Sequence, residues 1–237
     1  MNLLKIIKNN LFIQNFVATI VSFIPPYLEN SLAKYQALKK AFYVTAHDKT
    51  DGNYLEFGVF TGSSFNFAIK ANKKIEKIFG SSNCEFIGFD SFKGFGKISA
   101  EDENPSFQNK TFYVNEEKVL KNIEKMAKGQ KFRLIKGYYQ DTIKNKTTKD
   151  LKIGNCRVAM IDCDLKESTN LALEFLKPSI QKGTVILFDD YLYYKGSINK
   201  GECGAFMEFQ KKNPQIKFRR SFDYGYSGRA FIAYQID

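Results

Sequence analysis

The feature that most constrains this chain is an alternation of short apolar runs with segments of helical spacing. Apolar runs at residues 54–59, 84–90, 132–137, 158–162 and 184–188 have the length and composition of strands. Between and after them lie helical patterns at 63–79, 116–127, 168–179 and 204–212, with a shorter one around 142–149. Such alternation means a parallel sheet covered by helices on both faces, an α/β fold. Connections of this kind are right-handed, which restricts the sheet to a doubly wound order. The chain closes with two further strand patterns, 216–222 and 229–234, joined by the hairpin loop 223–228, so the end of the sheet is antiparallel. The 237 residues suit one such domain with an appendage.

The appendage is residues 1–48. Leu3, Ile6, Ile7, Phe16, Val17, Ile20, Val21 and Ile24 recur at helical spacing and stop at Pro25–Pro26, and a second helical pattern covers 35–46. The apolar stretch 11–24 is flanked by Lys5, Lys8 and Lys34, yet Gln14, Asn15 and Thr19 interrupt it and it is too short to span a bilayer. The expectation is a helix that packs on the core or on a second subunit, with peripheral membrane contact as the alternative. Residues 92–115 form a long polar segment directly after the second strand, the place for a lid-like loop over the carboxyl edge of the sheet.

Composition narrows the chemistry. The single histidine, His47, leaves no material for a His-based zinc site or a Ser-His-Asp triad. The four cysteines lack C-x-x-C spacing and read as reduced core residues of a cytoplasmic protein. The net charge of +11 comes from scattered lysines such as Lys70, Lys73, Lys74 and Lys77, with no dense basic tract. No nucleic-acid partner is therefore expected, although an anionic small molecule fits.

Chemistry concentrates at the strand ends. The first strand runs through Glu56, Gly58 and Gly62 into a helix opening at Ser63, a turn that lets a ligand approach backbone N–H groups. It is not G-x-G-x-x-G, so a dinucleotide is disfavoured. Asp90 closes the second strand, 28 residues after Gly62, placed to accept the hydroxyls of a ribose, with Ser91 beside it. Strands four and five end in Asp162-Cys-Asp164 and Asp189-Asp190, which meet at one edge of the sheet. Clustered carboxylates repel unless a cation neutralises them, and an all-oxygen set favours Mg²⁺ or Mn²⁺. Asp164 also reads as the cap of the following helix.

Five segments in order, at 54–64, 88–95, 136–142, 161–169 and 183–191, resemble the successive motifs of the macrocin O-methyltransferase family. The resemblance implies a Rossmann-like class I methyltransferase fold with a mostly parallel seven-stranded sheet, an antiparallel C-terminal hairpin and an N-terminal helical extension before residue 49. It implies an S-adenosylmethionine-dependent O-methyltransferase acting on a sugar or another small polar acceptor, phosphorylated or nucleotide-linked acceptors included. Glu56, Gly58, Gly62, Ser63, Asp90, Ser91 and Tyr139 would bind the cofactor. Asp162, Asp189 and Asp190 would ligate the metal, with Asp162, Asp190 and Lys166 as catalytic candidates. Lys166 stands where the family usually carries Tyr, and the loop after Gly94 lacks the usual Leu-Pro. The rivals are a non-catalytic partner subunit that keeps the fold, and a nucleic-acid methyltransferase. For the latter, Asn104-Pro-Ser-Phe107 sits after the second strand instead of the fourth. A homo-oligomer is compatible with all three.

Overall fold

The computed structural model describes residues 10–105, 107 and 112–237. Its strands are β1 (Asn53–Phe57), β2 (Glu85–Asp90), β3 (Lys131–Lys136), β4 (Cys156–Ile161), β5 (Ile180–Phe188), β6 (Ile216–Tyr224) and β7 (Gly228–Ile236). The longer helices are α1 (Leu11–Ser22), α2 (Pro26–His47), α3 (Ser63–Phe79), α4 (Glu116–Ala127), α5 (Lys166–Leu176) and α6 (Gly201–Lys212). The sheet order is β3-β2-β1-β4-β5-β7-β6. The pairs among β1 to β5 are parallel, while β5–β7 and β6–β7 are antiparallel. This is the expected seven-stranded doubly wound sheet, and its order reverses between β1 and β4, where α/β folds bind ligands.

The strand pleat sorts side chains into two cores. Leu55, Phe57 and Ile161 face α5 and α6, where Phe175 and Phe206 are fully buried. Tyr54, Val158 and Met160 face the opposite way, onto Leu38 and Phe42 of α2 and Phe65 of α3. Full burial of side chains such as Leu38 and Phe42 stabilises the fold by about 1.5–3 kcal/mol each. A polar clamp adds direction. The buried Arg157 on β4 donates to Thr45 Oγ1 at 2.7 Å and to the Phe42 carbonyl at 2.9 Å, fixing the carboxyl half of α2 to the sheet.

One local expectation is corrected and one is narrowed. The helix expected at 142–149 is a single turn, Tyr139–Thr142. Beyond it Asp150 takes both the N–H (2.6 Å) and the hydroxyl (2.7 Å) of Thr147, a side-chain competitor for helical hydrogen bonds. The N-terminal helix does not pack on the core: no residue of α1 is buried, and Phe12, Phe16 and Ile20 are exposed. The positions Leu3, Ile6 and Ile7 lie outside the described residues. Pro25 and Pro26 both end α1 and open α2, proline being suited to a first helical turn. Among the described residues no single helix is long and apolar enough to cross a membrane. The pair α1 and α2, bent by 97°, meets only the length and composition criteria.

The described residues of the segment after β2 make ordered contacts. Lys93 and Tyr113 bridge its two ends, and Phe95 packs edge-on against Phe107 and Phe112 at 5.8 and 4.9 Å. Phe112 in turn meets Phe60 of the β1 turn at 5.4 Å, which closes the segment over the cleft below.

Candidate active site

Strand register assembles the site. Phe57 is paired with Ile161, and Ile161 with Phe188, so the residues following β1, β4 and β5 emerge side by side. The Asp162 N–H donates to the Phe57 carbonyl at 2.9 Å and the Asp189 N–H to the Ile161 carbonyl at 3.0 Å. At Gly58 the backbone of β1 passes so close to β4 that an added Cβ would lie 1.8 Å from the Asp162 carbonyl oxygen. With φ at +95°, only glycine fits there.

A cleft lies above this junction, bounded among others by Gly58, Asp90, Tyr139 and Asp162. Asp90 accepts the N–H of Phe60 at 2.7 Å and of Phe92 at 2.6 Å, which ties the β1 turn to the start of the segment after β2. Each oxygen retains acceptor capacity towards the cleft. Burial pushes the Asp90 carboxyl up, against the pull of those N–H groups. Ser91 and Gly94 also border the cleft. Tyr139 is buried at its wall, with its ring edge on Phe57 and its hydroxyl donating to the Phe89 carbonyl at 3.4 Å.

The structure does not bring every candidate into the cleft. Glu56 is fully buried beneath it, accepting from Ser64 Oγ at 2.7 Å and from the Tyr54 hydroxyl. It braces the β1–α3 turn from within. Gly62 faces Val119 and Ile123 of α4, so its missing side chain serves helix packing. Ser63 opens α3 but does not border the cleft. Lys166 is committed to Glu208 at 2.6 Å on α6 and does not join the carboxylates. Asp164 does not cap α5. That helix start is capped from the segment after β2, where Asp102 accepts the N–H groups of Lys166 (2.7 Å) and Glu167 (3.1 Å). Asp164, at φ +59°, turns towards Asp190 instead.

The carboxylates that do converge are Asp162, Asp164, Asp189, Asp190 and one that sequence reasoning missed, Glu202. Fully buried at the start of α6, Glu202 accepts the N–H of Cys163 at 3.3 Å and of Asp190 at 2.9 Å, joining the chain after β4 to that after β5. Burial pushes Glu202 and Asp190 above the carboxylate range and Asp164 up to about 7, the neighbouring carboxylates adding to the rise. Asp189 rises to about 6 from burial and the neighbouring Asp162. A second missed residue is Lys34 of α2, whose amine lies 2.8 Å from Asp162 Oδ2 and 2.8 Å from Asp189 Oδ2. Burial alone would lower its pKa, but the two carboxylates outweigh burial and hold it well above the ordinary lysine value. A signal for Lys34 existed. It falls on the same helical stripe as the buried Ala37, Leu38 and Ala41, where a lysine needs a buried partner.

Oxygens of Asp162, Asp189 and Asp190 lie within 4.8 Å of one another. Asp189 Oδ1 is buried without a hydrogen-bond partner, the Tyr224 hydroxyl nearby being directed to Met160 Sδ at 3.8 Å. An orphaned buried carboxylate oxygen in a hard, all-oxygen set fits a divalent cation such as Mg²⁺.

Burial raises Glu56 from its ordinary 4.5 to about 8, so it folds as the neutral acid. The contribution of a group raised in this way is fully present below the unfolded value and is lost as pH rises through the folded one. Glu56→Gln, neutral at every pH, is therefore expected to gain on the parent protein by a few kcal/mol between pH 4.5 and 8. Urea midpoints of both proteins across that range test it, and parallel curves would contradict it.

A seven-stranded sheet of this order with an antiparallel C-terminal hairpin and a cleft at its switch point defines the class I methyltransferase fold. The chain belongs to the macrocin O-methyltransferase (TylF) family, whose model matches residues 31–217. A relative in Streptomyces olivaceus, 8-demethyl-8-(2,3-dimethoxy-α-L-rhamnosyl)-tetracenomycin-C 4'-O-methyltransferase, is 28% identical over 151 residues. That match takes in 61% of this chain and only 54% of the relative's length. Among solved structures, the O-methyltransferase NovP superposes with a TM-score of 0.71 at 18% identity over 89% of each chain. The calicheamicin methyltransferase CalS11 gives 0.65 at 18% identity, over 97% of this chain and 89% of its own.

Proposed function

We propose that this chain is an S-adenosylmethionine-dependent O-methyltransferase that methylates a hydroxyl of a sugar or sugar-bearing small molecule. The observation that carries the proposal is one cleft bordered by Asp90 at the end of β2 and by Asp162 and Asp164 after β4, with Asp189 and Asp190 within 4.8 Å of Asp162 behind it. Asp90 would accept the ribose hydroxyls, Ser91 and Tyr139 would border the nucleoside, and the Gly58 turn would admit the rest of the cofactor against backbone. The acceptor hydroxyl would sit over Asp162, which borders the cleft and keeps 19% of its side chain exposed. In the reaction the methyl carbon leaves the sulfonium sulfur as it bonds to the acceptor oxygen. The hydroxyl proton passes to a carboxylate of the cluster, giving S-adenosylhomocysteine and a methyl ether. Alignment of oxygen and methyl supplies much of the rate.

Asp162, Asp189 and Asp190 would hold a divalent cation, Mg²⁺ or Mn²⁺. When bound, such an ion lowers the pKa of a hydroxyl and fixes its direction. The lid, stapled to α5 through Asp102, would exclude water and select the acceptor. All four cysteines are free and buried, which supports a reducing, cytoplasmic setting.

Calorimetry with S-adenosylmethionine, followed by mass spectrometry of methyl addition to a panel of deoxyhexosides and nucleotide-linked sugars, tests the reading. Asp90→Asn is expected to lose about 10- to 100-fold in cofactor affinity, the worth of a hydrogen bond to a charged group. Absence of cofactor binding by the parent protein, or a loss below twofold in the variant, would refute it.

A further inference from the structure

We propose that Lys34 is the resident counter-cation of the carboxylate cluster, occupying the position where a divalent ion would draw oxygens from Asp162 and Asp189, and that it must withdraw for the ion to bind. This inference rests on reading the cluster as a cation site.

The geometry is specific. One ammonium reaches an oxygen of each carboxylate at 2.8 Å, and those two residues belong to the trio whose oxygens lie within 4.8 Å of one another. The lysine side chain is largely buried, at 18% exposed, and Asp189 is more so, at 6%. Among the described residues Lys34 is the only cation within ion-pair distance of the five carboxylates. Buried carboxylates this close demand a positive partner, and an ammonium supplies one charge where a divalent ion supplies two. Lys34 holds the Oδ2 atoms while Asp189 Oδ1 is free, so an ion drawn to the same carboxylates would lie close to the ammonium, and like charges that near in a buried site repel strongly.

Withdrawal needs no unfolding. The carboxyl half of α2 is fixed by Arg157, and its first turns touch the hairpin loop, where the Tyr226 N–H donates to Asn30 Oδ1 at 3.3 Å. The helix therefore stays, and the flexible four-carbon stem of Lys34 swings. Lys34 is thus a positioning residue. It holds Asp162 and Asp189 together before loading, sets the cation affinity of the site, and makes that affinity depend on α2.

Two measurements on the 237-residue chain test the proposal. The first is Mn²⁺ binding, by calorimetry and by the loss of the free-ion spin-resonance signal. Lys34→Met is expected to bind Mn²⁺ at least tenfold more tightly than the parent protein, and Lys34→Arg, which restores the cation, to remain within about threefold of it. The second uses the parent protein alone and survives a misfolded variant. Acetylation of Lys34 by an amine-reactive ester, read by peptide mass spectrometry, should rise several-fold when Mg²⁺ is added. If Mn²⁺ binds the parent and Lys34→Met equally, or Lys34 labelling does not change while Mg²⁺ is bound, displacement is overturned and the cation site stands. If neither the parent nor Lys34→Met binds Mn²⁺, the cation site itself falls and the proposal with it.

Discussion

Asp162→Asn is expected to reduce kcat by about 10³-fold or more while S-adenosylmethionine affinity changes by only a few-fold. Asp162 borders the cleft, contacts Lys34 and belongs to the trio that could hold a cation, so in the proposed reaction it would be the carboxylate beside the acceptor oxygen. The amide keeps its size and its backbone hydrogen bond to β1 while removing one negative charge and the capacity to take a proton. Cofactor contacts on the Asp90 side remain. Stopped-assay kinetics with calorimetry on the same preparation separates the two effects. A variant that keeps more than a tenth of the parent kcat would remove Asp162 from the chemistry.

Gly58→Ala is expected to destabilise the fold by about 4 kcal/mol or more, which in a domain of this size lowers Tm by roughly 10 °C. Its Cβ would meet the Asp162 carbonyl at 1.8 Å, and both partners are backbone in paired strands that cannot yield separately. Gly80→Ala provides the control. Gly80 has nearly the same φ, +96°, but nothing lies within 4 Å of the added carbon, so it should cost only the conformational strain of about 1–3 kcal/mol. Equal losses in the two variants would mean that the close approach of β1 and β4 does not matter. Because that approach sets Asp162 beside the turn, Gly58→Ala protein that still folds should also lose cofactor binding.

The Gly58 result bears on how much of the site was legible. A glycine at the end of the first strand is visible in the sequence, as is the acid at the end of the second. Strand periodicity is a local property, and right-handed crossovers convert a list of strands into neighbouring ends. For that reason Asp162, Asp189 and Asp190 were placed together correctly from chain order alone. The same local logic failed where a side chain had two plausible partners. Asp164 beside a helix start looks like its cap, yet Asp102, 64 residues before Lys166 in the segment after β2, holds those N–H groups. Glu56 looked like a ligand contact because it lies in the glycine turn. Its place in the pleat instead sends it inward to Tyr54 and Ser64. Lys166 was within reach of the acids along the chain, but packing of α5 against α6 gave it Glu208.

What the sequence determined by itself is the doubly wound sheet, its antiparallel hairpin and the acidic strand ends, because these follow from short-range periodicity and the handedness of connections. Only the tertiary structure decided how that acidity is balanced. Lys34 reaches Asp162 from 128 residues away, and Glu202 joins the β4 and β5 ends from α6. No local pattern encodes such pairs. They arise because desolvated charges must find partners wherever packing brings them, and packing is a property of the whole chain.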